Sequence, residues 1–324
     1  MKYYISKSHS PYYNLALEEI FFRDFQDSIL YLWQNDNTIV VGKNQNTFEE
    51  INQDKVIEKN INVVRRGTGG GAVYHDLGNL NFSVIINTKE GEFYDYASFL
   101  KPVIQALKTF EINAEIQGRN DILVNGYKIS GNAQMISNNR VLHHGTLLID
   151  SNLSTLSSVL NVSKQKLKSK GIKSVKSRVA NLCDLTDKEI NIELLEKKII
   201  EVYCDNEASE IIIDGDIEKK IKNLETQKYS TYEWVYGSSP NSDYSNEMKF
   251  SCGTVRINFN IKNGIIADCK FSGDFLDIRD INELATKLNN TKYQLDIIKN
   301  KLKDINLNSY LKNVTIDEFI HLFK

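Results

Sequence analysis

DILVNGYKIS, Asp121 to Ser130, is the stretch from which the fold reads most directly. Apolar and β-branched residues flank Asn125-Gly126, the dipeptide best suited to a two-residue type I′ turn, because both central residues of that turn need positive φ. A hairpin is expected, with Asp121 to Val124 as one arm and Tyr127 to Ser130 as the other. Asn138-Asn139 offers a second turn between Gln134 to Ser137 and Arg140 to His143, which extends the segment into an antiparallel three-stranded meander ending near Asp150.

Pairing across the first turn sets Lys128 opposite Leu123, and the period of two puts Asp121 diagonally near Lys128 on one face. If that register continues past Gly131, His143 pairs with Gln134 and joins the face of Lys128. A bulge at Gly131 would break the parity. Lys128 taken alone could be an ordinary edge charge, and His143 and His144 read as core histidines; neither histidine is put forward as catalytic.

Upstream, Asn14 is expected to cap a helix running through Phe22, with Glu18 and Glu19 near its favourable end. Ser28 to Trp33 and Thr38 to Gly42 suggest a hairpin across Gln34-Asn35-Asp36-Asn37. A helix near Asp54 to Lys59 comes next, then strands at Ile61 to Arg66 and Leu80 to Ile86 on either side of a glycine-rich stretch. Asp95 to Phe110 has helical spacing, with Pro102 as a point of kinking.

Downstream, Asn152 to about Gln227 reads as helical and polar, and Gly237 to Ser245 as a linker. Phe250 to Asn260 and Ile265 to Phe271 form a second hairpin across Lys262-Asn263-Gly264, with helices after it near Ile281 to Leu288, Tyr293 to Leu302 and Ile316 to Phe323. A chain of 324 residues exceeds the usual single core. The expected architecture is α+β: a catalytic domain, residues 1–241, on a mixed, largely antiparallel sheet with helices, and a small α+β accessory domain, residues 242–324.

RRGTGGGAVYHDLGN, Arg65 to Asn79, carries the chemistry. Two cations precede four glycines within five positions, so backbone N–H groups can approach an anion closely while a guanidinium offers a planar fork of donors. A tight turn needing positive φ would account for one or two of these glycines. Gly67 to Ala72 matches the dinucleotide fingerprint in spacing, yet the residues after Ala72 are strand-like where that motif needs a helix. No GK[ST] ends the loop, and no HRD or DFG lies downstream.

A net charge of −2 carries no polyelectrolyte signal, which argues against a dedicated nucleic-acid binder. Cys183, Cys204, Cys252 and Cys269 are scattered without metal-ligand spacing and read as reduced thiols. No stretch approaches the ~20 apolar residues that span a bilayer, and cytoplasmic residence is the expectation. Lys164 to Arg178 contains no acid; it reads as a solvated face, a loop closing on phosphate, a docking surface for an acidic partner protein or a nucleic-acid stripe, the last weakened by the absence of interleaved aromatics.

Three segments together resemble the lipoate–protein ligases: RRGTGGGAVYHDLGN, then GRNDILVNGYKISGNAQ with HHGTLL, then KGIKSVKSRVANL, in that family's order. NLALEE and LYLW…TIVVGKNQN extend the resemblance, and the C-terminal module is similar to that family's accessory domain. The resemblance implies a catalytic domain of the biotin- and lipoate-ligase kind and a two-step reaction. Lipoate and ATP, with Mg²⁺, give lipoyl-AMP; a lysine of an acceptor lipoyl domain of a 2-oxoacid dehydrogenase E2 subunit, or of the glycine-cleavage H-protein, then takes the acyl group.

By motif position, the resemblance assigns Arg66 to the nucleotide intermediate and the backbone of Gly71, Ala72, Val73 and Tyr74 to ATP. It sets Lys128 against both the lipoyl carbonyl and the α-phosphate, with Asp121 orienting Lys128 or helping to deprotonate the incoming amine. Metal ligands are not readable. An apolar slot for the lipoate tail is expected among residues of Trp33 to Gly42 and the strand after the glycine loop. Alternatives are an ATP-independent acyltransferase using a cysteine, for which Cys183 is the nearest candidate, a biotin ligase, and a non-catalytic carrier-domain or lipoate-binding protein.

Overall fold

The computed structural model describes residues 1–88, 95–118, 120–161, 179–204, 208–237, 244–262 and 264–324. Both expected turns form. Asn125 and Gly126 have φ of 51° and 81°, and Asn138 and Asn139 of 51° and 57°, so the residue types that tolerate positive φ sit where the chain reverses. Strands β8 (Asp121–Val124), β9 (Tyr127–Ser137) and β10 (Arg140–Leu148) are therefore sheet neighbours.

The meander is the centre of an eight-stranded sheet. Its other members are β1 (Lys2–Ile5), β2 (Ile29–Trp33), β6 (Asn79–Asn87), β7 (Ala114–Gln117) and β11 (Ser209–Glu210), in the order β11-β1-β2-β6-β10-β9-β8-β7. Pairing is antiparallel except that β1 runs parallel to β2 and to β11. The mixed, largely antiparallel sheet with helices is thus as expected from the sequence.

The hairpin expected between Ser28 and Gly42 does not form. β2 is buried along its whole length between β1 and β6, while β3 (Thr38–Val41) pairs parallel with β4 (Asn62–Arg65) and antiparallel with β5 (Val73–His75) in a separate small sheet. Both strands are fully buried, so each needs partners on two edges, and a two-stranded ribbon would leave ladder groups unpaired.

Helix α1 (Pro11–Asp24) starts earlier than expected. Ser10 caps it, accepting from the Tyr13 N–H, and Pro11 occupies the first turn, where its missing N–H costs nothing. Asn14 is fully buried inside the helix; its Nδ2 donates to the carbonyls of Ser8 and Gln34 at 2.9 and 2.8 Å and ties the next loop down. Helix α4 (Tyr96–Lys108), capped by Asp95, carries Pro102 without interruption.

Alternate residues of the sheet feed two cores. Phe82, Val84, Ile122 and Val141 pack under α4 and α6 (Ile192–Cys204), while Ile29, Tyr31, Ile85 and Leu142 pack under α1 and α7 (Gly215–Leu224). Residues 244–323 have a core of their own. It lies between β12 (Tyr244–Phe250), β13 (Gly253–Lys262), β14 (Ile265–Gly273) and the helices Ile281–Leu288 and Leu295–Lys303. The hairpin β13–β14 is as expected; β12 begins at a residue read as linker, and residues 238–243 lie outside the described residues, as does the basic run 164–178.

Candidate active site

The deciding local feature is one extra residue in β9. Ile122 pairs with Ser130 and Leu123 with Lys128, so Ile129 is bulged out of the ladder. Lys128 opposite Leu123 is as expected, but the bulge precedes Gly131 and reverses parity beyond it. Asp121 and Gly131 thereby share the face of Lys128, and Ala133 with its partner His144 comes next on that face. The expectation that His143 would join Lys128 is overturned: His143 turns to the opposite side and stacks on Phe99 at 4.8 Å between ring centroids.

Lys128 Nζ lies 2.6 Å from Asp121 Oδ1. It folds over Gly131, where a Cβ would stand 3.1 Å from Nζ, so the absence of a side chain there makes room for the ammonium. Lys128, Asp121, Gly131, Asn132 and His144 line a cleft of about 350 Å³, and Arg66, Gly70, Gly71, Ala72 and Val73 line the same cleft. Tyr74 does not: its side chain packs with Ile39 and Val63 on the other side of β5, and its hydroxyl donates to Asn37 Oδ1 at 3.0 Å. Only its backbone remains for the position expected of it.

The two arginines part company. Arg65 is fully buried and commits its guanidinium to backbone: Nη1 donates to the carbonyls of Gly42, Lys43 and Gln45 at 2.8, 2.9 and 2.7 Å, Nη2 to Val235 and Nε to Trp234. It is a clasp between the loop after β3 and the helix Tyr232–Tyr236, and it does not line the cleft. Arg66 reaches the cleft but is also well occupied: Nη2 donates to Gly69 and Gly71 carbonyls at 2.6 and 2.9 Å, Nη1 to Val40, and Nε to Thr68 Oγ1 at 3.1 Å. Gly70, at φ 93°, takes the turn these bonds enclose. Burial brings both guanidinium pKa values down to about 10, which leaves both cationic at neutral pH.

Apolar walls come from Leu15, Trp33, Val40 and Val73. Around them three buried polar atoms, His75 Nε2, Asn81 Nδ2 and Asn132 Oδ1, have no hydrogen-bond partner among the described residues. An orphaned polar atom costs roughly 1–3 kcal/mol, so a polar ligand that reached His75 Nε2 or Asn81 Nδ2 would recover part of that cost. Burial, with the nearby Arg66 and His144, pushes His75 down to about 3, so its ring is neutral.

Residues 273–278 of the C-terminal region close over the loop. Gly273 N–H donates to Asn44 O at 2.6 Å, Gly70 N–H donates to Phe275 O at 3.1 Å, and Lys43 Nζ lies 3.7 Å from carboxylates of both Asp277 and Asp280. Asp274 lines the cleft itself. Sequence reasoning missed Asp274, His75, Asn132, Glu18 and His144 as cleft or cleft-supporting groups. Glu18 offered one signal, an acid among the apolar residues of α1; Asp274 offered none.

Cys183 is exposed, and burial together with Asp184 and Asp150 raises its thiol pKa. A raised pKa suppresses the thiolate, so the geometry gives no support to a cysteine nucleophile.

Two family models match this chain: the lipoyl protein ligase A/B catalytic domain over residues 10–204, and the bacterial lipoate protein ligase C-terminus over residues 239–323. The lipoate-protein ligase LplJ of Bacillus subtilis is 39% identical over 321 residues, covering 97% of each chain. Among solved structures, P. falciparum LipL1 in complex with lipoate is 30% identical with a TM-score of 0.82, covering 99% of this chain and 98% of that one. A lipoate-protein ligase A bound with ATP is 28% identical with a TM-score of 0.62, covering 74% of this chain and all of that one. The chain belongs to the lipoate–protein ligase family, and it is an ATP-dependent enzyme of that family.

Proposed function

We propose that the cleft beneath the glycine-rich loop is where the lipoate carboxylate meets the α-phosphate of ATP, with Lys128 between them. The observation that carries this reading is the placement of the Lys128 ammonium, braced by Asp121, across one cleft from Gly70, Gly71 and Ala72. Attack of a carboxylate oxygen on the α-phosphorus brings two anions together. A fixed cation there stabilises charge that is greatest in the transition state. The phosphorus–oxygen bond to pyrophosphate breaks, and lipoyl-AMP remains.

In the second step the acceptor lysine amine attacks the acyl carbonyl, the bond to AMP breaks, and the amine loses a proton. Lys128 polarises that carbonyl, and Asp121 holds Lys128 or takes the proton. Leu15, Trp33, Val40 and Val73 offer the apolar walls for the dithiolane tail. Gly71, Ala72 and Val73 offer backbone to the nucleotide, with Tyr74 next in line. Asp121 and Asp274 are the cleft carboxylates that would help hold a Mg²⁺ ion, which commonly takes one or two carboxylates plus substrate phosphates and would supply charge neutralisation to the phosphates. Among the described residues no group of three metal-ligating side chains gathers, and this donor set fits an ion carried in by phosphate.

The acceptor on this reading is a lipoyl domain of a 2-oxoacid dehydrogenase or the glycine-cleavage H-protein, and the reaction takes place in the cytoplasm. Among the described residues no helix is long and apolar enough to cross a membrane. The catalytic and accessory domains divide near residue 241. Lipoate-dependent exchange of labelled pyrophosphate into ATP tests the first step, and mass increase of a purified lipoyl domain tests the second. Exchange without acceptor modification would restrict the enzyme to activation; absence of both would remove the reading.

A further inference from the structure

Beneath the cleft a single chain of hydrogen bonds links five side chains from α1, β2, β6, β10 and the glycine loop to Arg66. Arg66 Nε lies 3.1 Å from Thr68 Oγ1, Thr68 Oγ1 lies 2.7 Å from His144 Nε2, and His144 Nδ1 lies 2.9 Å from Glu18 Oε1. Ser83 Oγ donates to the same carboxylate oxygen at 2.5 Å, and Trp33 Nε1 donates to Ser83 Oγ at 3.0 Å. Thr68, Ser83 and Glu18 are at most 3% exposed and His144 is 8% exposed, so water competes little for these bonds.

Donor and acceptor inventory gives the chain a direction. An ionised carboxylate only accepts and a guanidinium only donates. With Glu18 accepting, His144 donates from Nδ1, and in the tautomer that carries its one proton there Nε2 accepts from the Thr68 hydroxyl. The hydroxyl oxygen then has a lone pair for Arg66 Nε–H. Every bond from Arg66 to Glu18 is satisfied, and the carboxylate lies at the far end of a buried path from the cation. Its charge also helps the guanidinium keep its proton against burial.

We propose that Glu18, acting through His144 and Thr68, is a positioning residue for adenylation. The relay fixes the rotation of the Arg66 guanidinium, and Arg66 in turn holds the Gly69 and Gly71 carbonyls so that the loop presents its backbone to the nucleotide. The inference rests on the adenylation reading of the cleft. Thr68 is not itself a cleft wall, so cutting the chain there disturbs the loop without removing a lipoate contact.

Initial rates of lipoate-dependent pyrophosphate exchange by the full-length chain test it. Thr68→Val should raise the KM for ATP about tenfold, the cost of one buried hydrogen bond, and leave the KM for lipoate within about twofold. Thr68→Ser, which keeps the hydroxyl, should restore the KM for ATP. Glu18→Gln should raise the KM for ATP about threefold alone and add nothing to Thr68→Val, since the path is already cut. Should Thr68→Val not fold, Thr68→Ala takes its place, with the Glu18→Gln/Thr68→Ala double variant expected to match Thr68→Ala alone.

An unchanged KM for ATP in Thr68→Val, equal losses in the Ser and Val variants, or effects that multiply between positions 18 and 68 would overturn the relay while wild-type exchange persists. Absence of exchange in the wild-type chain would instead overturn the adenylation reading, and the relay with it.

Discussion

The two faces of the central sheet put adjacent residues of one strand to opposite uses. On the cleft face His144 is wired at both nitrogens, to Glu18 and Thr68; one position earlier, on the face under α4, His143 has both nitrogens unpartnered among the described residues and lies between aromatic rings. Arg65 and Arg66 repeat the pattern at the end of β4, one clasping a loop to a helix and the other bordering the cleft. Residue type did not decide these roles. Side did, and side is set by strand parity; between Lys128 and the two histidines the bulge at Ile129 resets it.

The comparison breaks most readily at Lys128. Lys128→Ala should lower pyrophosphate exchange by about 10³-fold with little change in melting temperature, as loss of one preorganised cation would do. A loss under tenfold would mean that the cleft face is not the chemical one. Arg65→Met should do the reverse: the carbonyls of Gly42, Lys43, Gln45 and Val235 lose a buried donor, and urea denaturation should show about 3–5 kcal/mol less stability. Active, stable Arg65→Met protein would refute the clasp.

His143→Phe should stabilise the fold by about 1 kcal/mol, because the packed face gives the imidazole nitrogens nothing to bond. It should also flatten the acid limb. Burial, with His144 nearby, holds His143 at about 3, below the ordinary 6.5, so the unfolded chain takes up a proton first as pH falls. The stability linked to this ring is present above 6.5 and is lost as pH falls toward 3; denaturation curves between those values should lose slope in the variant. An unaltered slope would show that His143 finds a partner.

The smallest effect is expected at Glu196, on helix α6 over the same packed face. Burial, with Glu193 adding to it, lifts its carboxyl to about 7, so stability linked to the protonated form is full below about 4.5 and is lost as pH rises through 7. Glu196→Gln should raise the melting temperature by roughly 1–3 °C at pH 8 and leave it unchanged at pH 4. An equal shift at both pH values would assign the gain to packing alone.

Features that depend on local chemistry were legible in the sequence. Asn125-Gly126 and Asn138-Asn139 dictated two turns, the apolar spacing from Asp95 to Phe110 dictated α4, and four glycines after Arg65-Arg66 marked the loop. Partner choice was not legible: nothing in Ile29–Trp33 or Thr38–Val41 says that they belong to different sheets, because full burial erases the alternation that reports a face. The helix start was expected at Asn14; Ser10 ahead of Pro11 takes it instead, and the Asn14 amide serves tertiary bonds. The bulge needs Ile129 and Ser130 to face one way, and no residue type there demands it.

The bond from Gly70 N–H to the Phe275 carbonyl has a thermodynamic consequence. One peptide hydrogen cannot serve a carbonyl and a phosphate oxygen at full strength together. If the triphosphate claims it, docking of residues 273–278 weakens by the same factor by which that docking had weakened nucleotide affinity. The glycine turn would then couple occupancy of the cleft to the posture of the C-terminal region, so that a change in either is felt by the other without any contact between ligand and distal helices.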